Sequence, residues 1–160
     1  MAERITVSYQ KKPCYDIVLT RGFDGLSEEF SQREEWAGRK VCIVADSNVA
    51  PLYGKAVQEA LAPCVAACEL FEFPAGEENK NLQTVQSLYV YLIEHHFERR
   101  DMLVALGGGV TGDMNGFAAA TYLRGIDFIQ IPTTLLSMVD SSIGGKTGVD
   151  FDGYKNMVGA

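Results

Sequence analysis

Met102-Leu103-Val104-Ala105-Leu106-Gly107-Gly108-Gly109-Val110-Thr111-Gly112-Asp113 is the stretch on which the reading of this chain turns. Five apolar residues in a row, closed by glycines, describe a short strand buried on both faces. A helix from about Thr111 to Tyr122 follows. The glycines between the two let the backbone come close to a ligand and take positive φ, while the free amides and dipole of the helix N-terminus attract an anion. Together these features make a seat for a phosphate or pyrophosphate. Gly107, Gly109 and Gly112 satisfy G-x-G-x-x-G, a weak pattern alone, and here it follows a late strand instead of the first strand of a Rossmann unit. The acidic residue expected about 20 positions later is missing, because Asp127 opens the next strand. Ribose recognition then falls to Asp46, at the carboxyl end of an earlier strand, for which helix capping is the alternative role.

Working outward, short β-rich runs alternate with amphipathic stretches, without internal repeats. Ile5 to Tyr9 and Tyr15 to Thr20, separated by Lys11, Lys12 and Pro13, suit a hairpin. Leu26 to Trp36 reads as helix, and Val41 to Ala45 as a buried strand ending in the cap-forming residues Asp46-Ser47-Asn48. A helix from about Ala50 to Leu61 and a strand from about Glu69 to Phe73 come next, closed by Pro74-Ala75-Gly76. In Asn81 to Phe97, Leu82, Val85, Leu88, Tyr89 and Leu92 share one helical face. After the central strand and helix come a strand from Phe128 to Ile131 and a helical stretch beyond Pro132. Strands separated by helices predict an α/β fold, a Rossmann-like parallel sheet with helices on both faces.

The 160 residues carry 14 basic and 21 acidic side chains, a net charge of −7, with 47% apolar and 10% aromatic residues. That composition suits one globular domain and excludes a disordered chain. The acidic balance argues against nucleic acid or an anionic membrane as partner, since both need a basic face. No stretch is long and apolar enough to span a bilayer and the N-terminus has no signal-peptide pattern, so a cytoplasmic protein is expected. Cys14, Cys42, Cys64 and Cys68 are expected as free thiols. Cys64 and Cys68 lack a second Cys or His pair to complete a zinc set. His95 and His96, adjacent on a helix, point about 100° apart and cannot share one ion. No metal site is therefore expected in the chain.

A second cluster gathers Arg124, Thr133, Thr134, Asp140, Lys146, Lys155 and Asn156 among small residues: Ser137, Ser141, Ser142, Gly144 and Gly145. Charged and polar groups in that setting suit a polar ligand lying against the backbone. The segments Gly107 to Asp113, Phe117 to Gly125 and Ile131 to Gly148, with Pro74 to Lys80 and Lys155 to Ala160, closely resemble 3-dehydroquinate synthase. The resemblance runs from about Val41 to the end of the chain, with five motifs agreeing in order and spacing.

The resemblance implies an NAD-binding domain, here residues 1–160, followed in the family by a mostly helical domain absent from this chain. It implies that Asp46, Asn48, Glu77 and Lys80 hold the adenosine and ribose end of NAD, with Ala75, Gly76, Glu78 and Asn79 in the same loop. Gly108, Gly109, Val110 and Asp113, with Thr111 and Gly112, would take the pyrophosphate and adjoining region, and Thr133 and Thr134 another part of the cofactor. Arg124, Asp140, Lys146, Lys155 and Asn156 would line the substrate pocket, the two lysines also lying near the cofactor or the substrate phosphate. Asn79 and Asn81 depart from the family's usual aromatic residue and serine, so contacts of that loop should differ in detail. The family's catalytic zinc, or another divalent metal, is held by a Glu and two His of the second domain, and no ligand for it falls in this chain.

The activity implied is conversion of the sugar phosphate 3-deoxy-D-arabino-heptulosonate 7-phosphate to 3-dehydroquinate and phosphate in the shikimate pathway, by a homodimer, with the isolated domain expected to be inactive. Another sugar phosphate cyclase, a metal-dependent polyol dehydrogenase, or a non-catalytic nucleotide-binding module are the alternatives.

Overall fold

The computed structural model describes residues 3–23 and 25–160. Its centre is a four-stranded parallel sheet of β3 (Lys40–Asp46), β4 (Ala67–Phe73), β5 (Met102–Gly107) and β6 (Asp127–Pro132), in the order β4-β3-β5-β6. The continuous apolar runs follow from coverage on both faces. Val41, Ile43 and Ala45 of β3, with Met102, Val104 and Leu106 of β5, pack against Phe30, Ala50, Val57 and Leu61. Cys42, Val44 and Leu103 point the other way, toward Val85, Leu88, Leu92, Met114 and Phe117. Because side chains alternate along a strand, only an all-apolar sequence satisfies two such faces at once.

The first face is covered by α1 (Leu26–Ser31) and α2 (Lys55–Leu61), the second by α3 (Leu82–Glu94) and α4 (Gly109–Thr121). The expected helix over 50–61 begins as a wider turn, Ala50–Gly54, that leads into α2. The expected helix over 26–36 is broken: α1 stops at Ser31, and Arg33 leaves helical geometry before a short 3-10 turn at Glu34–Trp36. In α3 the shared apolar face is inward as expected, with Val85, Leu88 and Leu92 buried. Asn81 is not inside this helix but caps it, accepting the Thr84 amide at 2.9 Å. The helix also ends earlier than Phe97. Lys40 Nζ donates to the carbonyls of His95 and His96 at 3.0 and 2.8 Å, and His96 turns the chain at φ 56°. A cation on the last carbonyls both satisfies them and opposes the helix dipole. Both histidines are exposed, as expected.

The N-terminal hairpin pairs β1 (Glu3–Tyr9) with β2 (Lys12–Leu19). Its turn is Gln10-Lys11, both at positive φ, two residues ahead of the expected Lys-Pro break. Pro13 is tolerated because it lies in β2 next to a register shift, where the ladder is already irregular. Arg4 and Thr6 hold Asp16 at 2.8 and 2.7 Å and keep its carboxyl below the ordinary range, the Thr6 hydrogen bond contributing most.

A second hairpin, β7 (Gly148–Phe151) with β8 (Tyr154–Gly159), was not foreseen. Its signal was present: Asp152-Gly153 sits between two short runs, and both residues take positive φ as a two-residue turn requires.

All four cysteines are free, as expected. Burial pushes the Cys42 thiol well up and that of Cys68 up to about 11, whereas Cys14 is exposed. Since only the thiolate alkylates, iodoacetamide at pH 8 is expected to modify Cys14 first and Cys42 only on unfolding. Peptide mapping over a time course checks this, and equal rates for the two would contradict the burial.

Candidate functional site

Parallel strands put all their carboxyl ends on one edge of the sheet, so the loops after β3, β4, β5 and β6 meet there. The registers bring Asp46 beside Phe73 and Gly107 beside Pro132. The chain goes from β3 outward to β4 and then crosses back to β5 on the other side. Such a reversal opens a crevice between the carboxyl ends of the two strands, the place where open α/β sheets bind ligands. The proposed cofactor residues Asp46, Asn48, Ala75, Gly76, Glu77, Glu78, Asn79, Lys80, Gly108, Gly109, Val110, Thr111, Gly112, Asp113, Thr133 and Thr134 all follow the carboxyl ends of these four strands.

The glycine bend is built differently from the sequence reading. None of Gly107, Gly108 and Gly109 has positive φ, and Gly108 is extended at φ −83°. Space, not backbone freedom, calls for glycine. A Cβ on Gly107 would collide with the Thr111 side chain, one on Gly108 would lie 3.2 Å from the Thr134 methyl, and one on Gly112 would lie 2.5 Å from Gln130 Oε1. The helix also starts at Gly109, two residues before the expected Thr111, so Gly109 and Val110 belong to its first turn. Gly112 N donates to Gly108 O at 3.0 Å, and the amides before it have no partner within the helix. Gly108, Gly109 and Val110 are only half-buried. Two hydroxyls close by are buried and partnerless: Thr111 Oγ1, and Ser141 Oγ, which lies 3.1 Å from where a Gly109 Cβ would stand.

Asp46 ends β3 half-buried, and its Oδ1 accepts the amides of Asn48 and Val49 at 2.8 and 3.0 Å. It therefore fixes its own turn, which leaves Oδ2 for another partner. Ser47 Oγ accepts the Ala75 amide at 3.0 Å and ties this turn to the next loop. There Gly76 takes φ 120°, and Glu77–Asn79 form a 3-10 turn closed by Asn79 Nδ2 on Ala75 O at 3.0 Å. Asn81 Nδ2 donates to Glu78 O at 2.7 Å, so the two asparagines that depart from the family pattern brace this loop.

Lys80, expected at the adenosine and ribose end of NAD, turns its ammonium toward α4 and β8. It is buried, and its Nζ is 2.6 Å from both Asp113 Oδ2 on α4 and Asn156 Oδ1 on β8. Glu77 points instead to Lys155, at 3.2 Å on an exposed side chain. The E-x-x-K pair is thus split between two partners, Asp113 for Lys80 and Lys155 for Glu77.

On the far side, Thr133 N donates to Gly107 O at 2.9 Å, and Thr134 Oγ1 accepts the Ser137 amide at 3.2 Å. The expected helical stretch after Pro132 is a short irregular helix that includes Ser137–Ser141 and carries exposed Asp140. Lys146 is exposed in the loop before β7. Arg124 is not brought to this edge by its own chain. It follows the carboxyl end of α4, which is about 20 Å long, and precedes β6 at the opposite edge of the sheet. Among the described residues no group of three His, Cys, Asp or Glu could hold a metal ion, and no helix is long and apolar enough to cross a membrane.

Residues 70–160 match the family model described as 3-dehydroquinate synthase N-terminal. A 3-dehydroquinate synthase of Streptococcus suis is 46% identical over 156 residues, covering 98% of this chain and 43% of that protein. The chain thus spans less than half the length of the curated relatives it matches. A crystal structure of 2-deoxy-scyllo-inosose synthase complexed with carbaglucose-6-phosphate, NAD+ and Co2+ superposes with a TM-score of 0.84 at 29% identity, covering 99% of this chain and 42% of that one. A 2-epi-5-epi-valiolone synthase of Streptomyces hygroscopicus with NAD+ and Zn2+ bound superposes at 0.77 with 32% identity, covering 96% and 42%.

Proposed function

Because the chain belongs to the 3-dehydroquinate synthase family, we propose that it is the NAD-binding half of that enzyme, which turns 3-deoxy-D-arabino-heptulosonate 7-phosphate into 3-dehydroquinate and phosphate. The observation that carries this reading is the meeting of the glycine bend with α4 at the reversal of the sheet, where the first amides of the helix are free and the partnerless Ser141 hydroxyl stands 3.1 Å from where a Gly109 Cβ would lie. Those donors fit the pyrophosphate of a dinucleotide. NAD, when held there, would supply reversible hydride acceptance.

In this reading the protein's own residues orient and hold. The amides of Gly109 and Val110 receive the pyrophosphate, and the free oxygen of Asp46 accepts a hydrogen bond from a ribose hydroxyl. A cofactor that oxidises and then reduces the same molecule has to stay in one pose, and contacts from three loops secure that. Asp140, Lys146, Lys155 and Asn156 form this chain's share of the substrate pocket. The Lys155 ion pair with Glu77 is mostly solvated, so little free energy holds it, and the ammonium can turn to a substrate carboxylate or phosphate. Arg124, facing the opposite edge, acts only where another part of the assembled enzyme brings a substrate to it.

Among the described residues no set of side chains fits a metal, and its ligands would belong to the second domain of the full-length enzyme. The full-length protein is read as a cytoplasmic homodimer, and residues 1–160 as one domain without turnover of its own. Another sugar phosphate cyclase is the second reading, supported by the two superposed structures, but the higher identity lies with 3-dehydroquinate synthase.

Calorimetric titration of the 160-residue chain with NAD is expected to give saturable heat and a raised melting temperature. Gly109→Val, which fills the cradle beside Ser141, is expected to abolish both, and Asp46→Ala to weaken binding about tenfold, the size of one hydrogen bond to a charged acceptor. Absence of heat and of any thermal shift in the unsubstituted chain would sink the cofactor reading. Unchanged affinity in Asp46→Ala would instead move the ribose elsewhere.

A further inference from the structure

Asp150 belongs to none of the motifs above, yet it joins the two halves of the site. Its Oδ1 accepts the Asn156 amide at 2.8 Å, its own amide donates to Lys80 O at 2.8 Å, and its backbone forms a parallel bridge with Asn81. Asn156 stands at φ 54°, a left-handed conformation that asparagine tolerates better than most side chains, so that a hydrogen bond to its amide is enough to hold it. The Asp150 carboxylate supplies that hold. From this bend Asn156 Oδ1 reaches Lys80 Nζ, whose other contact is Asp113 in the second turn of α4.

Four residues therefore make a line, Asp150 to Asn156 to Lys80 to Asp113, running from the second hairpin through the loop after β4 to the glycine helix. We propose that Asp150 is a positioning residue: by fixing the Asn156 bend it sets where the Lys80 ammonium sits beside the glycine helix and how Lys155–Asn156 meet the substrate. The cofactor loop and the substrate-facing hairpin then move as one body. This rests on the dinucleotide reading above. Without that hydrogen bond the Asn156 bend is no longer held in one geometry, its amide oxygen leaves Lys80, and the ammonium tilts toward Asp113 alone.

The test uses the 160-residue chain with Asp150→Ala, Asp150→Asn, Asn156→Ala and the Asp150→Ala/Asn156→Ala pair, each titrated with NAD well below its melting temperature. Asp150→Ala is expected to bind about tenfold more weakly and Asp150→Asn, whose amide oxygen still accepts, within about twofold of the parent. The double variant is expected to bind no worse than the weaker single one, because both changes break the same line. Parent-like binding by Asp150→Ala, or losses that multiply in the pair, would overturn the proposal. Should Asp150→Ala fail to fold, Asp150→Ser, too short to reach the Asn156 amide, takes its place.

Amide hydrogen exchange separates this claim from the cofactor reading. If the parent gives no heat with NAD, the cofactor reading falls while exchange still decides on Asp150. Joint loss of protection at the Asn156 and Lys80 amides in Asp150→Ala, restored in Asp150→Asn, supports the line. Loss at Asn156 alone ends it.

Discussion

Lys80→Met is expected to lower the free energy of unfolding by about 2–3 kcal/mol, less than the ~3–5 kcal/mol for removing one member of a fully buried ion pair, because Asp113 keeps some contact with water. Lys80 is 4% exposed and carries two acceptors on its ammonium. Methionine matches the stem of the side chain, so the loss isolates the charge and its two hydrogen bonds. It leaves Asp113, whose side chain is 22% exposed, half-buried without its charge partner. Adding Asp113→Asn is expected to recover part of the loss, since an unpaired amide is less costly to leave there than an unpaired carboxylate. Urea unfolding followed by circular dichroism measures both. Parent-like stability in Lys80→Met would show that the ammonium reaches water.

Gly116→Val is expected to cost about 2–3 kcal/mol, at the upper end for overpacking, and to lower the melting temperature by about 5–10 °C in a chain of this size. Gly116 is buried on α4, where the helix meets the second hairpin. A Cβ there would stand 3.0 Å from Thr147 Cβ, closer still to its methyl, and 3.2 Å from the Phe128 ring. Thr147 cannot yield easily, since its backbone exchanges two hydrogen bonds of 2.9 Å with Ala160. The hairpin should lift from the helix, and trypsin should then cut faster after Lys155. Unchanged melting and cleavage would mean that the hairpin shifts without strain. Gly116→Ala should do less harm, because about 1 kcal/mol of helix propensity offsets its smaller clash.

What could be read without coordinates was what lies close in sequence. The strand Met102 to Leu106 was legible because a two-faced strand has to be apolar throughout, and the face of α3 because its period is helical. The glycine bend was legible as a place of close approach, but its reason was misread. Positive φ is a local property and is absent there; the crowding comes from Thr111, Thr134, Gln130 and Ser141, three of which lie more than 15 positions beyond the glycine they crowd. The Asp152-Gly153 turn was the sequence signal of the second hairpin, since both residues take positive φ there.

The alternation of the central strands with helices, the two apolar faces and the chemistry of the loop residues could be read from the sequence alone, because periodicity and the chemistry of side chains act over a few residues. Only the tertiary structure decided which of those residues work together. Lys80 left Glu77 for Asp113 and Asn156, Asp150 became the support of the second hairpin, and Arg124 was carried to the far edge of the sheet. The physical reason is that a hydrogen bond forms by distance in space. Which partners come within 3 Å depends on how the crossovers stack the loops, and no local pattern in the chain encodes that.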